Sequence, residues 1–156
     1  MLYTKMTKTA MQIAFDAHKE QLDKSGLPYI YHPIHLAEQM HDEVSVCVAL
    51  LHDVVEDTAY TYEDLAARGM SETVIETLKL LTHDDTVPYM DYVQKIKDSG
   101  NQAAIAVKLS DLRHNSDISR LDSVDSKASA RLEKYKIAIE LLDGIIKYTH
   151  HKTPQE

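Results

Sequence analysis

Residues 44–51, Val-Ser-Val-Cys-Val-Ala-Leu-Leu, are apolar on almost every side. A helix built from such a run has no polar face to turn to water, so the run predicts a central helix with the rest of the chain packed around it. The next residues sharpen the constraint, because His52, Asp53, Glu56 and Asp57 crowd four ionisable groups onto the end of that helix. Such groups cost folding energy there unless they are solvated, paired or bound to a cation. With the helix continued to about Val55, His52 lies over Glu56 and Asp53 over Asp57. Three carboxylates at the negative pole of a helix favour a bound cation over a bare terminus.

The remaining pattern is helical throughout. Four Gly and four Pro in 156 residues are few, and no segment alternates apolar and polar residues long enough to read as a strand. Helical spacing predicts a first helix over 8–22, stopped by Lys24-Ser25-Gly26-Leu27-Pro28, and a second opening at His32-Pro33. After the central helix, expected over 44–55, Thr61 and Ser71 are placed as N-caps ahead of acidic first turns. Further helices open at Val87-Pro88 and at Asn101, and a long one covers 127–148 with Leu132, Tyr135, Ile139, Leu142, Ile145 and Ile146 as its stripe, free to pack on its own core or on a second copy in a homo-oligomer. The expectation is an all-α, single-domain multi-helix fold over 1–149, with a disordered tail at 150–156.

Charge and thiol content narrow the function. The formal charge of −8 argues against a protein that coats nucleic acid, whose affinity comes from basic side chains on phosphates. A small anionic substrate is compatible with it, given a local metal or a few Lys and Arg. The one cysteine, Cys47, lies inside the apolar run and reads as a buried thiol in a reducing, cytoplasmic setting. No window approaches the roughly 20 apolar residues needed to cross a bilayer, and the N-terminus lacks a signal-peptide pattern.

His32 at a helix start and Asp111 after an apolar helical run join His52 and Asp53 as a two-His, two-Asp set. Mixed nitrogen and oxygen ligands suit a borderline divalent ion such as Mn, Fe, Co, Ni or Zn and leave positions for water and substrate. Lys24, Lys108 and Arg113 are candidate phosphate contacts, with Lys24 placed first. His35, one turn from His32, reads as a surface or supporting residue, His83 as a loop residue, and His18, His41 and His114 as ordinary polar-face residues.

The order of these motifs resembles the HD superfamily of metal-dependent phosphohydrolases, marked by a separated His, a His-Asp pair and a later Asp. It resembles most the (p)ppGpp hydrolase domain of RelA/SpoT homologues, including small single-domain alarmone hydrolases. The matching blocks are His18 and Gln21, Lys24-Ser25-Gly26, Pro28-Tyr29 and His32-Pro33, then Ala49 to Thr58, then Val107 to Asn115. The resemblance implies an HD-domain fold and removal of the 3′-pyrophosphate of (p)ppGpp with Mn. It also implies that Glu56 and Asp57 handle the attacking water and that Lys24 and Asn115 lie near the nucleotide. One departure stands out: Asp23 occupies the position where those hydrolases carry an Arg that stacks on the guanine base. An Asp neither stacks nor attracts anions, and it is expected to repel a polyphosphate.

Other readings stay open at this point. The same fold could act on another nucleotide or a phosphomonoester, a reading Asp23 favours, or serve as a non-catalytic nucleotide sensor that keeps the metal site, which the intact Glu56-Asp57 pair opposes. A plain helical domain without metal is the third. Alarmone synthesis is not expected, because the length holds one catalytic domain.

Overall fold

A computed structural model describes residues 1–150 and their side chains through Gly144. Among the described residues the elements are helical, apart from one isolated antiparallel bridge between Leu22 and Pro28. In chain order the helices are α1 (Lys5–His18), α2 (Tyr31–Glu38), α3 (Glu43–Leu51), α4 (Val54–Asp57), α5 (Tyr62–Ala67), α6 (Glu72–Leu81), α7 (Tyr89–Ser99), α8 (Gln102–Asn115) and α9 (Ser126–His150). A 3₁₀ turn, Ile118–Arg120, lies between the last two.

Local chemistry sets most of the boundaries. Thr4 and Thr61 start α1 and α5 with reciprocal capping boxes, and Asp42, Ser71 and Asn101 accept main-chain N–H groups at the starts of α3, α6 and α8. Gly100, at φ 63°, ends α7 in the left-handed conformation that glycine adopts without steric cost.

α3 is the central helix. Every residue from Ser45 to Leu51 is buried, and the helix packs against α1, α2, α6 and α8. Burial of its Val and Leu side chains contributes roughly 1.5–3 kcal/mol each. α9 lies across α7 and α8, so the stripe expected on the last helix faces its own core at Tyr135, Ile139 and Leu142, while Ile145 and Ile146 lie beyond the described side chains. The tail expected at 150–156 lies outside the described residues except for His150, where α9 ends.

Two sequence expectations need correction. The central helix does not continue to Val55: α3 ends at Leu51, and α4 starts again at Val54. The Ala49 carbonyl, which a continued helix would offer to the Asp53 N–H, receives the His52 ring Nδ1 at 2.7 Å. Asp53 then sits at φ −103°, ψ −2° as the residue before α4. Glu56 and Asp57 therefore belong to the first turn of a new short helix and not to the negative pole of the old one. The backbone still links Asp57 N–H to the Asp53 carbonyl at 2.9 Å.

The first helix ends at His18 and not at Leu22. The chain turns there into a loop closed by Asp23 N–H to the Leu27 carbonyl and Tyr29 N–H to the Gln21 carbonyl, each 2.8 Å. The Asp23 side chain accepts the N–H groups of Ser25 and Leu27, and Gly26 takes φ 78° at the tip. The loop leaves Leu22 on the surface.

Candidate metal centre

The turn between α3 and α4 aims two sequence neighbours at one point. His52 Nε2 lies 3.0 Å from Asp53 Oδ2, and His32, from the start of α2, brings its own Nε2 to the same place. One ligand atom each from His32, His52 and Asp53 fall within 4.8 Å of one another. Asp111, on α8, sets Oδ1 3.2 Å from His32 Nε2 and 3.9 Å from His52 Nε2. All four residues expected as ligands thus meet, contributed by three separate segments.

The proton inventory at this point favours a cation. His52 Nδ1 faces the Ala49 carbonyl and so carries the ring proton in the neutral tautomer. Nε2 is then a buried lone pair with no hydrogen-bond partner, although two carboxylates face it. Burial lowers the affinity of that imidazole for a proton, but Asp53 and Asp111 outweigh burial and raise its pKa to about 9. The cluster calls for positive charge, and its donor set of two imidazoles and two carboxylates fits a divalent transition ion.

Neighbours fix the carboxylates. Burial opposes ionisation of Asp111, yet Lys108, His32 and His52 hold it far below the usual carboxylate range. Lys108 Nζ lies 2.8 Å from Oδ2, and Asn115 Nδ2 lies 2.7 Å from Oδ1. Tyr29 donates its hydroxyl to Asp53. On the far side of His32, its Nδ1 meets His114 Nδ1 at 2.6 Å, and His35 stacks on His114 with centroids 4.3 Å apart. Hydrogen-bonded outer neighbours of this kind fix the rotamers and tautomers of metal-binding side chains.

No protein-family model matches the chain. The bifunctional (p)ppGpp synthase/hydrolase SpoT of Escherichia coli is 32% identical over 124 residues, covering 71% of this chain and 18% of that protein. The guanosine-3′,5′-bis(diphosphate) 3′-pyrophosphohydrolase of Aquifex aeolicus is 33% identical over 145 residues, covering 86% and 20%. The chain is a homologue of the (p)ppGpp pyrophosphohydrolases. It spans about a fifth of the length of these curated relatives. A solved structure, described as a metazoan orthologue of SpoT that hydrolyses ppGpp, superposes with a TM-score of 0.70 at 22% identity, covering 91% of this chain and 85% of that one. The two share a fold, and the all-helical single-domain expectation agrees with it.

In this pyrophosphohydrolase homologue the cluster separates two cavities. One, of about 120 Å³, is lined by His52, Asp53 and Asp111 together with Glu56, His83, Tyr89 and Lys108. The other, of about 300 Å³, is lined by His32, Tyr29, Gln21, Lys24, Asn115, Arg120, Arg131 and Tyr135. Glu56 thus shares a cavity with the candidate ligands. Burial first, then the charges of Asp53 and Asp57, raise its pKa. Asp57 is raised by burial and Asp53, and it borders Gln21 in a shallow depression beside α1.

The residues expected at the substrate divide. Lys24 and Asn115 line the larger cavity. Lys108 is neither solvated nor free: it is held by Asp111 and packed over the rings of Tyr89 and Tyr92. Arg113 stands apart, because its exposed guanidinium pairs with Asp143 at 3.2 Å and lines a different groove with Met40 and His41. His18, read as an ordinary polar-face residue, is buried against the Tyr29 ring, with Nδ1 2.8 Å from Gln21 Oε1.

Arg120 escaped the sequence reading altogether. Its Nη2 lies 2.8 Å from Asp23 Oδ2, across 97 positions of sequence. Asp23 is thereby neutralised, and the repulsion expected from it is cancelled within the cavity wall. The only local signal was Asp117, whose carboxylate caps the short turn that carries Arg120.

Proposed function

We propose that the chain is a divalent-metal-dependent hydrolase that removes the 3′-pyrophosphate of (p)ppGpp. The observation that carries this reading is the convergence of His32, His52, Asp53 and Asp111, beside a carboxylate of raised pKa, in a chain similar over most of its length to named 3′-pyrophosphohydrolases. Those four residues are the proposed ligands, and Mn is the proposed ion. A bound divalent ion would supply Lewis-acid activation of water and of the phosphoryl group.

The protein's own groups supply the rest. Glu56 accepts the proton of the attacking water, a role its raised pKa suits. Asp57 orients that water or returns a proton to the departing 3′-oxygen as the ester O–P bond breaks. Lys108 and Asn115 keep Asp111 ionised and aimed, while Lys24 meets substrate in the larger cavity. Among the described residues no helix is long and apolar enough to cross a membrane. The thiol of Cys47, pushed up to about 12 by burial and then by Glu43 and Asp42, fits the proposed cytoplasmic location.

The test is release of phosphate and pyrophosphate from ppGpp, common nucleotides, deoxynucleotides and simple phosphomonoesters, with Mn added or chelated. Mn-dependent release of pyrophosphate from ppGpp is the expected result. Activity confined to other esters would move the substrate, and inactivity on the whole panel with every divalent metal would overturn the reading.

A further inference from the structure

The larger cavity holds a cation that the proposed chemistry does not use. Arg120 enters it from the 3₁₀ turn and is gripped at both ends by the loop opposite: Asp23 takes its guanidinium, and Ser25 donates its hydroxyl to the Arg120 carbonyl. Its Nη1 also donates to the His114 carbonyl at 3.1 Å and lies 3.4 Å from His114 Nδ1. A guanidinium carries five N–H donors, and these contacts engage three, so two have no partner among the described residues.

Asp23 is suited to this task. Its carboxylate already accepts the Ser25 and Leu27 N–H groups, which hold it in one orientation before Arg120 arrives. A planar guanidinium fixed by a preset carboxylate loses little freedom when it takes up a second anion. The same cavity gathers Lys24 and Arg131, and Lys24 has its pKa lowered by burial and then by the charges of Arg131 and Lys134. Like charges crowded this way repel one another, and an anion between them would relieve the repulsion.

We propose that Arg120, positioned by Asp23, determines substrate specificity by binding the phosphate groups at the 5′ end of the nucleotide, distal to the ester that is cleaved. The inference rests on the proposed function and names which part of that substrate the cavity selects. Arg120 is the contact residue, and Asp23 acts only through it.

The experiment compares kcat and KM for ppGpp with those for guanosine 3′-diphosphate, which lacks the 5′-phosphates, in the Mn-loaded protein. Arg120→Gln is expected to raise KM for ppGpp with little change in kcat, and to cut the preference for ppGpp over the truncated substrate by at least about tenfold. Asp23→Asn keeps an acceptor for the loop N–H groups and should move the same ratio in the same direction by a smaller factor. An unchanged ratio in Arg120→Gln, or equal losses on both substrates, would overturn the proposal.

Should the native protein hydrolyse neither compound, the proposed function fails, and the subsite is then judged by binding of GDP against guanosine with metal chelated. Weaker GDP binding in Arg120→Gln, with guanosine binding as in the native protein, would uphold it, and equal GDP affinity in the two proteins would refute it.

Discussion

Lys108 places its ammonium 2.8 Å from Asp111 Oδ2, three residues along the same helix and almost out of water. The carboxylate at the cluster thus has its compensating charge built in before any ion arrives. Removing one partner of such a pair leaves the other buried and alone, at a cost of about 3 kcal/mol or more. Lys108→Met should lower stability by that order in urea denaturation with chelator present. The loss should shrink when Mn is supplied, and an equal loss with and without metal would separate Lys108 from the centre.

Glu56 and Asp111 should fail in different ways. Glu56→Gln is expected to retain metal near the native level while turnover falls by roughly 10²-fold, the scale of a lost general base. Asp111→Ala should lose the metal as well as the activity. Metal content measured by elemental analysis after dialysis, beside steady-state rates, reads both. A metal-replete and fully active Asp111→Ala protein would end its assignment as a ligand.

The loop that presents Asp23 depends on Gly26 at φ 78°. A Cβ there would meet nothing within 4 Å, so the penalty for Gly26→Ala is conformational and not steric crowding. About 1 kcal/mol of lost stability is expected, the usual cost of forcing an L-residue into that region. Thermal unfolding of the two proteins checks it; no change would show that the loop has another conformation available.

His18 sets a pH dependence. Burial lowers its pKa from the ordinary 6.5, opposed by its bond to Gln21 and by Asp53. The unfolded chain therefore takes up a proton near pH 6.5 that the folded protein refuses until a lower pH. Stability from this group is complete above 6.5 and drains away as the pH falls through that window. His18→Gln should flatten the stability curve there, measured as denaturation midpoints at steps of pH, whereas identical slopes would show that the imidazole titrates alike in both states.

Much of this architecture was legible because its causes are local. The caps at Thr61 and Ser71, the helix start at Asn101 and the burial of Val46 to Leu51 follow from neighbouring residues alone. The gap between α3 and α4 was not legible, since spacing describes an ideal helix and the His52 ring engages a main-chain acceptor that such a helix would use. His18 was misplaced for a related reason: its polar neighbours in sequence hide a fold that turns it against Tyr29. The pairing of Asp23 with Arg120 needs two loops to meet, and neither residue announces the other. Asp23 was a visible oddity, an acidic residue beside the site expected for a polyphosphate, and its compensation lay out of sequence reach.

The short interruption after Leu51 also sets how long the centre can last. His52 and Asp53 hang from the end of the most enclosed helix, so withdrawing their backbone from the cluster means dismantling the interior that α1, α2, α6 and α8 share with it. These two side chains are therefore expected to leave the cluster only on the timescale of global unfolding, the slowest the protein has.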